Sequence, residues 1–150
     1  MQARMSNPVM IVPDVMQALQ ALGASAEAGG VSSRTIALIQ LRASQINGCN
    51  VCIDGHCRML KQAGETDERL AAVAGWREDA SFSAAERAAL ALSEAVTRLS
   101  DQADPVSDAI WDEAARHYDE QGLAALIIAI ATINVWNRFN VATRQPVGVW

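Results

Sequence analysis

The run from Leu123 to Trp136, L-A-A-L-I-I-A-I-A-T-I-N-V-W, constrains this chain more than any other feature. It is apolar on every helical face, which rules out a helix with one wet side. A bilayer crossing needs about 20 such residues, and Asn137 and Arg138 close the run sooner. It therefore predicts a buried central helix, with the other elements packed around it.

The remaining sequence supplies those elements as helices. Hydrophobic residues make up 51% of the chain, alanine is abundant, and Val, Ile and aromatics form no alternating runs, so the pattern favours an all-α fold of about six to seven helices. The 150 residues are enough to bury a core without staples and read as one domain, residues 1–150. Twelve Lys and Arg against 17 Asp and Glu leave a formal charge of -5 and no basic stripe, which argues against a nucleic-acid partner. The N-terminus, M-Q-A-R-M-S-N-P-V-M-I-V-P, lacks a secretory apolar region. The expected protein is cytoplasmic, with no membrane partner, and there a lone C-x-x-C cycles between thiol and disulfide.

Breakers and caps divide the chain. Asp14 opens a first helix that ends at Gly29-Gly30, and Ser32 or Ser33 opens a second that ends at Asn47-Gly48. A third runs from about Cys49 to Ala63, and Thr66 or Asp67 caps a short fourth ending near Trp76. Ser83-Ala84-Ala85-Glu86 is a capping box for a fifth helix reaching about Leu99. Asp104-Pro105 breaks the chain before a sixth, from Val106 or Ser107 to Tyr118. Gly122 then separates it from the apolar seventh, and the tail from Gln145 reads as extended and docked. Trp76, Trp111 and Trp136 read as core or interface anchors.

The chemistry lies in I-N-G-C-N-V-C-I-D-G-H. At 3.6 residues per turn, Cys52 lies roughly 60° and His56 roughly 20° from Cys49 around the third helix, so all three share a face. Free amides at the helix start stabilise a thiolate, and His56, four residues after Cys52, can accept its proton or pair with it as imidazolium. In the mechanism this predicts, Cys52 attacks a hydroperoxide and becomes a sulfenic acid, and Cys49, nearer the exposed helix end, resolves it as a disulfide. Cys57 lies roughly 80° round from Cys49 and reads as a packing residue. Zinc would need four ligands from Cys49, Cys52, Asp54, His56, Cys57 and the distant His117, without a second C-x-x-C, so no metal and no cofactor are expected. His117 is accounted for by its place at a helix C-terminus. Glu94 reads as a solvated mid-helix residue and only a weak proton carrier.

The motif and its surroundings, L-R-A-S-Q-I-N-G-C-N-V-C-I-D-G-H, A-G-E-T-D-E-R-L, F-S-A-A-E-R-A-A-L-A-L-S-E-A-V-T and I-N-V-W-N-R-F-N, resemble the carboxymuconolactone decarboxylase superfamily, in its alkylhydroperoxidase AhpD-like branch. The likeness covers about residues 33–141. It implies an all-helical bundle with the C-x-x-C at a helix N-terminus, trimers or hexamers, and cofactor-free thiol peroxidase activity on organic hydroperoxides. It also implies a peroxidatic Cys52, a resolving Cys49, His56 in the proton relay, and a dithiol reductant such as a lipoyl-bearing protein. Ala37 and Val51 stand where that branch places a relay glutamate and histidine, with Gln40, Ser44, Glu94 or a water as stand-ins. The same residues also fit a dithiol-disulfide reductase or redox sensor, or an oligomeric scaffold with a vestigial dithiol.

Overall fold

Helix boundaries follow the capping residues. The computed structural model describes residues 2–148, in which eight α-helices and a 3₁₀ segment make up the regular structure, with no strand among them. They are α1 (Pro8–Ile11), α2 (Val15–Glu27), α3 (Ser33–Asn47), α4 (Asn50–Gln62), α5 (Asp67–Ala72), the 3₁₀ segment (Val73–Glu78), α6 (Ala84–Thr97), α7 (Asp108–His117) and α8 (Glu120–Thr143). Ser32 and Thr66 accept the backbone N–H three residues on, and Ser83 and Glu86 close the capping box reciprocally. Gly48, at φ 67°, takes the left-handed turn that carries α3 straight into α4.

Several boundaries depart from expectation, each for a local reason. The proline-rich leader forms α1, because Asn7 accepts from Val9 N–H and Pro8 starts the helix. The short helix after Thr66 gives way to 3₁₀ at Val73, and Gly75 leaves helical geometry. Gly122 separates nothing: Asp119 is the cap, and it accepts from Gly122 N–H inside the first turn of α8. α8 also outruns its apolar stretch by a further two turns, because buried asparagines there find partners. The tail is tied back, with Gln145 Nε2 donating to Met5 O and Gln145 N–H to Asn140 O. Val149 and Trp150, at the end of that tail, lie outside the described residues.

α8 is the axis of the core. Leu123, Leu126, Ala129 and Ile130 are buried with Leu38, Ile39 and Leu41 of α3 and Ala89, Leu90 and Leu92 of α6. Among the described residues it is also the one helix long and apolar enough to cross a membrane, yet 56% of its most apolar stretch is buried inside the fold. α2 runs antiparallel along it. Gly23 faces Thr132, and Gly29 meets the start of α8 so closely that a Cβ would overlap Ala125 Cβ and stand 2.9 Å from Gln121 O.

At the other end of α6, the reading of Glu94 as solvated is corrected. Glu94 is buried, its Oε1 accepting from Arg42 Nε at 2.7 Å and Trp76 Nε1 at 2.9 Å, and its Oε2 pairing with Arg77 at 2.8 Å. Burial opposes its ionisation, but these donors outweigh burial and hold the carboxyl below its usual range. Trp76 is a core residue, whereas Trp111 is 40% exposed and anchors no core.

Candidate redox site

The turn from α3 to α4 sets the sulfurs. Cys49 N–H donates to Ser44 O at 3.0 Å, and Cys49 then caps α4, its Sγ accepting from Cys52 N–H at 3.4 Å. The two Cα atoms are 5.3 Å apart and the sulfurs are joined as a disulfide. The dithiol thus starts a helix, as its sequence predicts. Their relative exposure is the reverse of expectation: Cys52 is 8% exposed and Cys49 only 1%. As the cap, Cys49 is folded inward, into a cluster with Ala43, Val51 and Ile133 against which Trp136 packs.

Three asparagines of α8 fasten this turn. Asn47 Nδ2 donates to Asn134 Oδ1 at 2.9 Å and Asn137 Oδ1 at 2.8 Å, and Asn137 Nδ2 donates to Ser44 Oγ at 3.1 Å. Asn140 Nδ2 reaches Cys52 Sγ at 3.3 Å. The residues recur every third position, so they line one side of the helix. Nothing in the chemistry of the dithiol pointed to them. The available signal was the N-x-x-N-x-x-N spacing within I-N-V-W-N-R-F-N, at the end of an otherwise apolar run.

Beside Cys52 opens a cavity of about 570 Å³ between α2, α4 and α8. Met16, Leu19, Met59, Ile133 and Trp136 make its walls mostly apolar, and Gln20, Glu27, Gln40 and His56 supply polar groups. Among the described residues, no lysine or arginine lines it. His56 is in this cavity with a buried Nδ1 that has no hydrogen-bond partner among the described residues. Burial lowers its pKa to about 4, so at neutral pH the ring is an uncharged base rather than an imidazolium. A second depression of about 260 Å³, lined by Gly48, Cys49, Asn50, Asn140 and Arg144 among others, opens on the Cys49 side.

The other candidates separate from this centre. Gln40 lines the large cavity, while Ser44 is fully buried, donating to Gln40 O at 2.8 Å. Ala37 is in the core and Val51 borders both openings, so the two relay positions are apolar. Glu94 does not line the cavity. Burial raises the pKa of the Cys57 thiol, in keeping with a packing role. Asp54 pairs with Arg58 on α4, and His117 lies 3.1 Å from Glu113 on α7. Among the described residues, no three His, Cys, Asp or Glu side chains gather as a metal site.

An all-helical bundle with a disulfide-forming C-x-x-C capping one helix is an AhpD-like architecture. The chain belongs to the carboxymuconolactone decarboxylase family, whose model matches residues 13–95. It is 34% identical over 132 residues to the uncharacterized protein YdfG of Bacillus subtilis, covering 88% of each chain. It is also 34% identical over 109 residues to the uncharacterized protein YnjA of Escherichia coli, covering 73% of this chain and 58% of that one. Among solved structures, an Agrobacterium tumefaciens protein of unknown function, described as a candidate AhpD antioxidant defence protein, superposes with a TM-score of 0.90 at 30% identity over 99% of this chain and 100% of its own. The debrominase Bmp8, in complex with 2,3,4-tribromopyrrole, shares the fold at a TM-score of 0.80 and 21% identity, over 93% of this chain and 74% of its own.

Proposed function

We propose that this protein is a cofactor-free thiol peroxidase that reduces organic hydroperoxides. The carrying observation is that Cys52, and not Cys49, lines the apolar cavity that also holds His56. Family membership and the disulfide support a redox role for the pair.

In the reduced protein, His56 takes the Cys52 proton, and the thiolate attacks the distal peroxide oxygen. The O–O bond breaks, the alkoxide leaves with the proton held by His56 as an alcohol, and Cys52 becomes a sulfenic acid. Cys49 attacks that sulfur, releases water and forms the disulfide. An external dithiol restores both thiols by attacking Cys49 from the smaller depression, itself becoming a disulfide; a lipoyl-bearing protein is the proposed donor. The setting of this cycle is the reducing cytoplasm. Exposed Met10, Ile11, Val12, Leu22 and Met59 support assembly of several copies, proposed as a trimer or hexamer.

The apolar residues at the two relay positions favour a second reading, a dithiol-disulfide reductase or sensor with little peroxide activity. One equivalent of cumene hydroperoxide added to fully reduced protein separates the two, with intact mass and peptide mapping as readout. Peroxidase function requires Cys49–Cys52 bonding far faster than an ordinary thiol reacts. A rate no greater than that of a free thiol overturns it in favour of the reductase.

A further inference from the structure

Cys52 is joined to the N-terminal segment by a chain of hydrogen bonds in which every donor points toward the sulfur. Val9 N–H donates to Asn7 Oδ1 at 3.2 Å, Asn7 Nδ2 donates to Asn140 Oδ1 at 2.8 Å, and Asn140 Nδ2 donates to Cys52 Sγ at 3.3 Å. Both asparagines are buried, at 4% and 5% exposure. The order fixes each amide. Because Asn7 spends its oxygen on the α1 cap, it offers nitrogen to Asn140, and Asn140 must turn its own nitrogen to the sulfur. The segment is held in register by Arg4, whose N–H donates to Thr143 O at 2.9 Å and whose side chain donates to Ala142 O at 3.1 Å.

A disulfide sulfur is a poor acceptor and a thiolate is a strong one, so this bond strengthens when the reduced Cys52 loses its proton. The groups that could otherwise stabilise or repel that charge are few. Among the described residues, His56, Glu27 and uncharged Gln40 of α3 line the large cavity with it, and Cys49 and Arg144 border the smaller one. Asp54 and Arg58, on the same helix, pair with each other.

We propose that Asn140, oriented by Asn7, is a positioning residue that selects Cys52 as the more acidic thiol through a fixed amide dipole, so that the N-terminal segment completes the redox site. The inference concerns the sulfur and stands whether its oxidant is a peroxide or a disulfide.

The test is the pH dependence of Cys52 alkylation by iodoacetamide in fully reduced protein, read by peptide mass, which involves no peroxide. In Asn140→Ala the midpoint should rise by about one pH unit, the usual scale of a hydrogen bond to a charged group. Asn7→Ser should raise it less, because serine keeps the α1 cap but loses the amide donor. The double variant should match Asn140→Ala alone, since Asn7 acts only through Asn140. Thermal melting of the oxidised proteins reports any purely structural loss. An unchanged midpoint in folded Asn140→Ala overturns the proposal, and so do additive shifts in the double variant. If Asn140→Ala does not fold, Asn7→Ser decides: a raised midpoint sustains the proposal and an unchanged one overturns it.

Discussion

Two polar regions are buried in this molecule, and they are built from opposite materials. Around Glu94, α3, α6 and the 3₁₀ segment are joined by full charges, with Arg42 and Arg77 closing on one carboxylate. Around the cysteines, α3, α4, α8 and the N-terminal segment are joined by neutral amides and hydroxyls. A nearby fixed charge would bias the sulfur toward one protonation state, whereas amide dipoles stabilise without adding a titrating group. Charge ties the elements together at Glu94, whereas the hydrogen bonds that reach the two sulfurs come from amides.

Separation of the two regions predicts different losses. Replacing Cys49 with Ser should leave the first oxidation of Cys52 to sulfenic acid intact but cut sustained turnover by at least about a hundredfold, as measured by peroxide consumption with excess dithiol; unimpaired turnover would remove Cys49 from the resolving role. Glu94→Gln leaves the largely buried Arg42 guanidinium without its carboxylate and should cost about 3 kcal/mol of stability, seen in urea unfolding, while Cys52 alkylation stays unchanged. A matching fall in thiol reactivity would join the two regions into one.

Acid should attack them in different windows. His56 titrates near 6.5 when unfolded and at about 4 when folded, so the unfolded chain binds the extra proton. Its contribution is complete above pH 6.5 and declines as pH falls toward 4, to about 3 kcal/mol in all. His56→Gln should flatten stability across that window. Glu94, with its folded pKa depressed, loses its contribution only below the unfolded value of 4.5, and that lower slope should survive in His56→Gln. Asn47→Ala strands the buried Asn137 oxygen and leaves Asn134 Oδ1 to Arg138 alone, and should cost about 2 kcal/mol, again by urea unfolding. The smallest effect expected is from Trp76→Phe, which loses one hydrogen bond to Glu94, about 1 kcal/mol.

Local rules made much of this legible beforehand. The capping box at Ser83, the left-handed Gly48, the helix-initial cysteines and the buried apolar run all depend on neighbours within a turn or two, and each is where its residues predict. Pairings made across long separations could not be read in the same way. Glu94 looks solvated because Arg42, 52 residues away, is invisible to helix periodicity. Asn7 draws no notice in the proline-punctuated N-terminus because its partner, Asn140, is 133 residues distant. Cys49 looks exposed because the surface that covers it includes Ile133 of α8. The chemistry of the dithiol was thus local, and its surroundings were tertiary.

The glycine just past the end of α2, packed on the start of α8, has a consequence for the cavity. The same two helices contribute to its lining beside Cys52, one with Met16, Leu19 and Gly23, the other with Thr132, Ile133 and Trp136. Gly29 works as a hinge pin without a head: a side chain there would collide with Ala125 and Gln121. A methyl group at that pivot would push the helices apart, and the width of the cavity would change without any edit to the residues that line it.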